Sequence, residues 1–437
     1  MMPAGIEAAA EAVAVYQVYL AGVIFLLTYA VIVSEKMHRT IAALLGGLLM
    51  IATGIVSQEE AFIAVDWNVI FLLAGMMILA YILSETGIFQ WIAVQAVRLG
   101  KGNPFRIMAF LAVFTAITSA ALDNVTVVVL LAPVTLYVAA NLGLSPIPFL
   151  VAEVMASNIG GAATLIGDPP NILIGSDAGI DFLTFVVHMS PPIIIIIILF
   201  IPMAYFVFRK DLVQKEGKRP HIAEVKDLIT NPALLKKSLI VLGGVLIGFN
   251  FHAMMGLEPA TVALAGATIL MLWTKWEPHE ALQHVEWDTL MFFVGLFITV
   301  EAIVKVGIIE SLAKEVLALT GGSFPLTTML VLWLSALASG IVDNIPYTAT
   351  MIPLIDGLIK GGLTSPHNPN PMWWALALGA DLGGNLTLVG ASANVVAASL
   401  AARAGHEISF WKFFKYSIWV TLMSIVVATA YLWIRYL

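Results

Sequence analysis

SNIGGAATLIGDPPNILIG, residues 157–175, is the stretch from which the rest of the chain can be read. It is mostly apolar, yet it carries Asn158, Thr164, Asp168 and Asn171 beside Gly160, Gly161 and Gly167. Pro169 and Pro170 sit side by side within it. Proline removes a backbone donor and clashes with the preceding turn, so a helix cannot run straight through. A broken helix inside a bilayer is tolerated only where protein or a water-filled cavity satisfies the freed backbone groups. The phrase recurs as GADLGGNLTLVGASANVVAAS at 379–399. Gly160, Gly161, Thr164, Gly167 and Asn171 return as Gly383, Gly384, Thr387, Gly390 and Asn394, each 223 positions further on.

Composition makes the bilayer the solvent. Of 437 residues 60% are hydrophobic and 11% charged, and the mean hydropathy is +0.96; soluble domains carry about 25% charged residues. A net charge of −7 therefore says little about soluble partners, and nothing points to nucleic acid. With no cysteine there is no disulfide, thiolate metal site or cysteine nucleophile. Glu7 and Glu11, not basic residues, precede the first apolar run, so a retained membrane helix is expected there rather than a cleaved signal peptide.

Spanning takes about 20 mostly apolar residues. The expected spans are 14–34, 40–56, 67–84, a broken helix over 147–175, 182–208, 234–252, 259–275, 287–304, a second broken helix over 372–400, and 410–434. Two more apolar blocks, 104–140 and 324–361, are each interrupted by Asp-Asn, at Asp123–Asn124 and Asp343–Asn344. Arms of about 15 residues are short for a span at 1.5 Å per residue. Both blocks therefore read as re-entrant hairpins with tips near mid-membrane. VDWNVIFLLAGMMILAYILSETGIFQ aligns without a gap on VEWDTLMFFVGLFITVEAIVKVGIIE, and Trp67 and Asp123 recur 220 positions later as Trp287 and Asp343.

The expected fold is thus an all-α integral membrane protein of two repeats. The first runs over 1–208 and the second over 234–437, joined by a charged cytoplasmic linker at 209–233. Each repeat holds five transmembrane helices, one of them broken, and one re-entrant hairpin. Five is odd, so the repeats insert with opposite orientation. With both termini outside, only Lys305, Lys314, Lys360 and Arg435 of the 21 Lys and Arg fall outside, as the positive-inside bias requires. Such a bias suits a bacterial plasma membrane. Interrupted segments at matching places in inverted halves are the best pointer to a transporter's binding site.

Three motifs carry a family resemblance: LDNVTVVVLLAPVT at 122–135, SNIGGAATLIGDPPN at 157–171, and SALASGIVDNIPYTATMIP at 335–353 followed by GGNLTLVGASANV at 383–395. On them the chain is identified as a member of the ion transporter superfamily. It resembles the branch of arsenite permeases (ArsB), NhaD-type sodium/proton antiporters and the P protein. The resemblance implies a homodimer in which a fixed scaffold supports a moving transport domain of hairpins and broken helices. The chain departs from the superfamily's sodium/dicarboxylate carriers, whose hairpin tips bear small polar residues. Asp123 and Asp343 here argue against a dicarboxylate.

Four carboxylates converge on the expected site: Asp123 and Asp343 at the tips, Asp168 in the first break, and Asp381 before the second. A charge at the bilayer centre costs roughly 2.5–3.5 kcal/mol on insertion scales. Four cannot stay ionised together unless protons or a cation neutralise them. No matching set of intramembrane bases is evident, the nearest being Lys305, one turn from Glu301. The coupling ion is then a proton or sodium, with Asp123, Asn124, Asp343 and Asn344 as the candidate sodium ligands. Asn124, Thr126, Asn344 and Thr348 lie at or just past the tips. Asn158, Thr164, Asn171, Asn385, Thr387, Ser392 and Asn394 flank the breaks. The half-helices after Asp168 and Ala391 are expected to offer N–H groups to an oxyanion or trihydroxide. Gly160, Gly161, Gly167, Pro169, Pro170, Gly383, Gly384 and Gly390 shape the site.

Blander roles compete. An Asp before a helix can simply cap it. Glycine pairs in membrane helices more often serve packing than ligand contact. Glu153 and Glu301 read as structural, Glu59 and Glu60 as a solvated turn, and none of the histidines as a ligand. The functional expectation is a secondary active transporter working by alternating access. It exports a small inorganic solute, arsenite or antimonite first, coupled to protons or sodium. Sodium/proton exchange and an anion or organic-anion carrier are the alternatives within the class. A channel, or an intramembrane aspartyl enzyme, are alternatives from other classes. No GxxxxGK[ST] motif is present, so the chain hydrolyses no ATP through a P-loop, and no cofactor is expected.

Overall fold

The computed structural model describes residues 4–34, 36–213 and 228–437. Most of the expected linker, with Lys215, Lys218, Arg219 and Lys226, lies outside the described residues. Ten helices build the first half: α1 (Ala4–Ser34), α2 (Arg39–Ala52), α3 (Gln58–Ile63), α4 (Trp67–Ser84), α5 (Ile88–Gly100), α6 (Pro104–Ser119), α7 (Asn124–Leu142), α8 (Ile147–Gly161), α9 (Pro169–Asp177) and α10 (Phe182–Phe208). The second half repeats them in order: α11 (Pro232–Phe251), α12 (Pro259–Thr274), α13 (Pro278–Gln283), α14 (Trp287–Lys305), α15 (Ile308–Thr320), α16 (Phe324–Ser339), α17 (Asn344–Lys360), α18 (Pro371–Gly383), α19 (Ser392–Arg403) and α20 (Phe410–Tyr436). A lone 3₁₀ turn, Ala253–Met255, follows α11.

The described residues hold no strand, and seven helices are long and apolar enough to cross a membrane. The expected hairpins are α6–α7 and α16–α17, and the expected broken helices are α8–α9 and α18–α19. Three differences from expectation are physical. The second hairpin arm α7 has 19 residues, enough to cross by itself. Helices α2 and α12, with 14 and 16 residues, are shorter than a full span. Helices α5 and α15, with 13 residues each, are too short to cross and correspond to none of the expected spans. Each follows a glycine at positive φ, Gly87 (79°) and Gly307 (81°), which redirects the chain where other residues would be strained. Between α15 and α16 the axis turns by 118°.

Helix starts are set locally. Asp66, Asn103, Asp181, Asn231, Asn370 and Ser409 each accept a hydrogen bond from a backbone N–H of the helix they precede. Ser57 and Glu60 form a reciprocal capping box on α3. Glu60 is therefore more than a solvated turn. It also receives Lys305 Nζ at 2.6 Å, so Lys305 pairs with Glu60 across the halves instead of with Glu301. Lys305 and the Ser57 cap hold the Glu60 carboxyl down at about 2.

The packing separates two bodies. In the outer body α2 lies on α1 and α14, and α4 on α11 and α12, so each half embraces the other. A Cβ on Gly295 would stand 2.4 Å from the Ala43 carbonyl carbon, which shows how closely α14 and α2 approach. In the site body α6 packs on α8, α16 on α18, and α10 on α20. There α7 meets α19 while α17 meets α9, so each hairpin covers the other half's break. Trp374, Phe185, Phe200 and Phe413 fill the site body's interior. The lipid-facing girdle is aliphatic and aromatic, including Leu26, Ile198, Ile247, Leu272, Trp419 and Ile434.

Candidate transport site

Both Asp-Asn corners pack against the breaks, with Asp123, Asn124 and Asn344 buried and Asp343 half-buried. Asn124 N–H donates to Gly167 O, and Asn344 N–H to Gly390 O, each at 3.1 Å. A carbonyl freed by the break thereby receives the first N–H of a hairpin helix. Thr164 Oγ1 donates to Ala120 O (2.7 Å) and Thr387 Oγ1 to Gly340 O (2.6 Å), tying break to tip a second time. The Asn171 amide donates to Gly161 O and Thr164 O, and the Asn394 amide to Gly384 O and Thr387 O. Thr164, Thr387 and the amide groups of Asn171 and Asn394 are thus braces of the breaks. Gly160 and Gly383 let α8 and α18 touch the hairpins: a Cβ there would lie 2.1 Å from Ala116 O and 2.4 Å from Ala336 O.

The carboxylates differ. Asp123, 5% exposed, caps α7 by accepting from Thr126 N–H (2.9 Å), Thr126 Oγ1 (2.7 Å) and Val125 N–H (3.4 Å). Asp343 caps α17 by accepting from Ile345 N–H (3.0 Å), and it also accepts from Ser392 Oγ at 2.7 Å. Asp168, 1% exposed, makes no cap bond; instead both corners donate to it, Asn124 Nδ2 at 2.7 Å and Asn344 Nδ2 at 3.2 Å. Asn158 joins the halves: it accepts from Asn124 and donates to Asn385 Oδ1 (3.0 Å) and Asn394 Oδ1 (2.9 Å). Asn385 in turn donates to Met155 O.

Asp381 is fully buried, near enough to Asp168 to interact electrostatically, and neither of its oxygens has a hydrogen-bond partner. Asn171 lies beside it but spends its amide on the break's carbonyls. Asn171 Oδ1 and Asn124 Oδ1 are likewise buried without donors. Around Asp168 and Asp381, then, sit four acceptor oxygens with nothing to accept. Leaving a buried acceptor unmade costs about 1–3 kcal/mol each. Asp168 is supplied with donors by Asn124 and Asn344, while these four oxygens beside it are left without one. Of the expected sodium ligands, Asn124 and Asn344 touch Asp168 directly, whereas Asp123 and Asp343 spend oxygens on capping their helices. Among the described residues no three His, Cys, Asp or Glu are placed to hold a metal, so a cation here would rest on Asn and main-chain oxygens as well.

Two site features were misjudged from sequence. Helix α9 was expected to present N–H groups to an anion. Its first two residues are Pro169 and Pro170, which have none, and Asn171 N–H donates to Asp168 O. Only α19, starting Ser392-Ala393, keeps such donors. The larger miss is a base. Arg39, counted as an ordinary cytoplasmic charge, reaches Asp343 Oδ2 at 3.3 Å and hydrogen-bonds Ser392 Oγ. Its other terminal nitrogen donates to Thr289 Oγ1 at 3.4 Å, and the guanidinium lies 5.4 Å over the Phe292 ring. A cavity of about 410 Å³ opens beside Lys36 and His38 and ends on Arg39, Asp343 and Ser392. Thr348 Oγ1 is buried without a partner. Glu153 is buried in α8 and accepts from Thr135 Oγ1. His188 stacks on Trp374 at 4.8 Å, a packing role.

Similarity to known proteins agrees with this architecture. An uncharacterized transporter of Mycobacterium tuberculosis (strain H37Rv) is 45% identical over 422 residues, covering 94% of this chain and 97% of that one. The human P protein is 35% identical over 504 residues; the alignment covers 95% of this chain and 60% of that longer protein. The crystal structure of the YdaH transporter of Alcanivorax borkumensis superposes with a TM-score of 0.60 at 14% identity, over 96% of this chain and 98% of that one, a likeness of fold. The family model described as "Citrate transporter" matches residues 29–379. The chain therefore belongs to the CitMHS citrate transporter family, within the ion transporter superfamily, and is a multi-pass membrane transporter.

Proposed function

We propose that this protein is a secondary active carrier in which a proton or sodium ion binds at Asp168 and Asp381 and drives a small oxygen-rich solute by alternating access. The observation that carries the reading is one cluster: Asp168 held by Asn124 and Asn344 from both tips, beside an Asp381 whose oxygens receive no donor. Neutralisation of this cluster is the natural condition for a loaded site body to cross lipid. The absence of a continuous pore in this scheme separates it from a channel.

The solute is best read as a carboxylate-bearing anion travelling with the cation. Asp343 argued against an anion while it stood alone; Arg39 now neutralises it, and Lys36 and the start of α19 face the same cavity. The matching family's description as citrate transporters points the same way. A second reading is sodium/proton exchange alone, favoured by the Asp168–Asp381 pair. Arsenite or antimonite, as uncharged trihydroxides, would use Ser392 and the Asn side chains but gain nothing from Arg39. A homodimer, insertion in the plasma membrane and termini outside complete the proposal, on the resemblance and the charge bias.

The test is flux in proteoliposomes of the purified protein under imposed proton or sodium gradients, with citrate, arsenite, antimonite and chloride compared across pH. Wild type should concentrate one solute in response to a gradient. Asp168→Asn should abolish that response while the protein still inserts. Gradient-driven uptake that survives in Asp168→Asn would remove the proposed coupling site.

A further inference from the structure

The two halves each form a cavity at equivalent places, but only the first is lined by lysine or arginine. The cavity ending on Arg39 is bordered by Ile32, Lys36, Met37, His38 and Arg39. At 220 positions further on stand His252, Gly256, Leu257, Glu258 and Pro259, which border a second cavity of about 370 Å³. Where the first reaches the tip residue Asp343, the second does not include Asp123. Pro259 occupies Arg39's place, so nothing there can form the equivalent ion pair.

Arg39 also connects bodies that share few other polar contacts. It stands at the start of α2, and its Thr289 and Phe292 partners lie on α14, all in the outer body. Asp343 and Ser392 belong to the site body. The guanidinium is already engaged by a carboxylate where an anionic solute would have to bind it.

We propose that Arg39 is a tethered cation that latches the unloaded site body to the outer body through Asp343, and that the arriving anionic solute frees the body by drawing Arg39 off that carboxylate. This rests on the carrier reading above and adds its control. Because Pro259 cannot latch, the lock holds only in the state that is open at the Arg39 cavity. An unloaded carrier then rests on that side, and cation movement without solute is suppressed.

The cysteine-free chain allows a direct test. Val396 lines the Arg39 cavity and Ser176 its mate, so Val396→Cys and Ser176→Cys report on the two. Each is labelled with a maleimide in proteoliposomes without solute, in the wild-type, Arg39→Gln, Arg39→Lys and Asp343→Asn backgrounds. Arg39→Gln and Asp343→Asn remove the same bridge from opposite ends. Both should slow labelling at Val396→Cys and speed it at Ser176→Cys, on the order of tenfold in the ratio. Arg39→Lys should stay near wild type, and Arg39→Gln should leak cation without solute. If labelling ratios in Arg39→Gln and Asp343→Asn match wild type, the latch is overturned, whatever happens to flux. If Arg39→Gln does not fold, Asp343→Asn decides alone by the same ratio. Should wild type carry no solute under any gradient, the carrier reading fails, whereas the labelling ratio still judges the bridge.

Discussion

Replacing Gly160 by alanine adds one carbon and puts it 2.1 Å from the Ala116 carbonyl oxygen, with Ala116 Cα at 2.5 Å. Both neighbours are backbone of α6, so no side chain can rotate away. To bring the first distance to 3.4 Å, where ordinary contact begins, the α8–α6 spacing must open by about 1.3 Å. Overpacking of this kind costs about 1–3 kcal/mol. The displacement falls two residues from Asn158, which joins Asn124 to Asn385 and Asn394. A shift near 1 Å at a positioned site costs about 100-fold in rate. Gly160→Ala should therefore lose about 1–3 kcal/mol of stability and most of its gradient-driven flux. Gly243→Ala in α11, where nothing lies within 4 Å, is the matched control and should be neutral or slightly stabilising. Thermal unfolding in detergent, followed by tryptophan fluorescence, and proteoliposome flux measure the two effects. Equal stability and flux for the two alanine variants would refute the argument from close approach.

The tip carboxylates allow capping to be separated from coupling, because asparagine caps a helix about as well as aspartate. Asp123→Asn and Asp343→Asn should insert and unfold within about 1 kcal/mol of wild type yet lose ion-coupled transport; full activity in both, measured in proteoliposomes, would leave them as caps only. At the other ion pair, Glu60 is held at about 2 while an unfolded glutamate titrates near 4.5. A depressed carboxylate stabilises above its unfolded value and loses that contribution as pH falls through its folded value. Lys305→Gln should lower the unfolding temperature most at neutral pH, with the difference from wild type shrinking between about pH 4.5 and 2. A difference independent of pH would sink this.

The sequence carried the architecture because its punctuation is chemical. Pro-Pro after Asp168, paired glycines before it, and two Asp-Asn corners can each be seen without coordinates, and duplication shows them twice. Helices α10 and α4 have the ends expected of them, Phe182–Phe208 and Trp67–Ser84. Helices α5 and α15 were lost because length was the criterion, and they are too short to meet it. Residue types did not reveal how these side chains bond: Thr164 and Asn171 brace the break, and Asp381 is the carboxylate left bare. Arg39 was invisible for a different reason, being 304 positions from Asp343. One local hint existed. A base at the first position of a helix opposes the helix dipole, which favours acids there. That misplacement marks a residue serving a distant partner.

The start of α9 bears a carboxylate and two prolines, whereas α19 opens with a hydroxyl and free peptide hydrogens. Copies that began alike now have opposite electrical character at corresponding ends. If the halves exchange shapes during a cycle, the mouth that opens on one face is not a reflection of the mouth that opens on the other. Entry and exit therefore meet different chemistry, and a molecule assembled from near-duplicates is left with an intrinsic sense of direction.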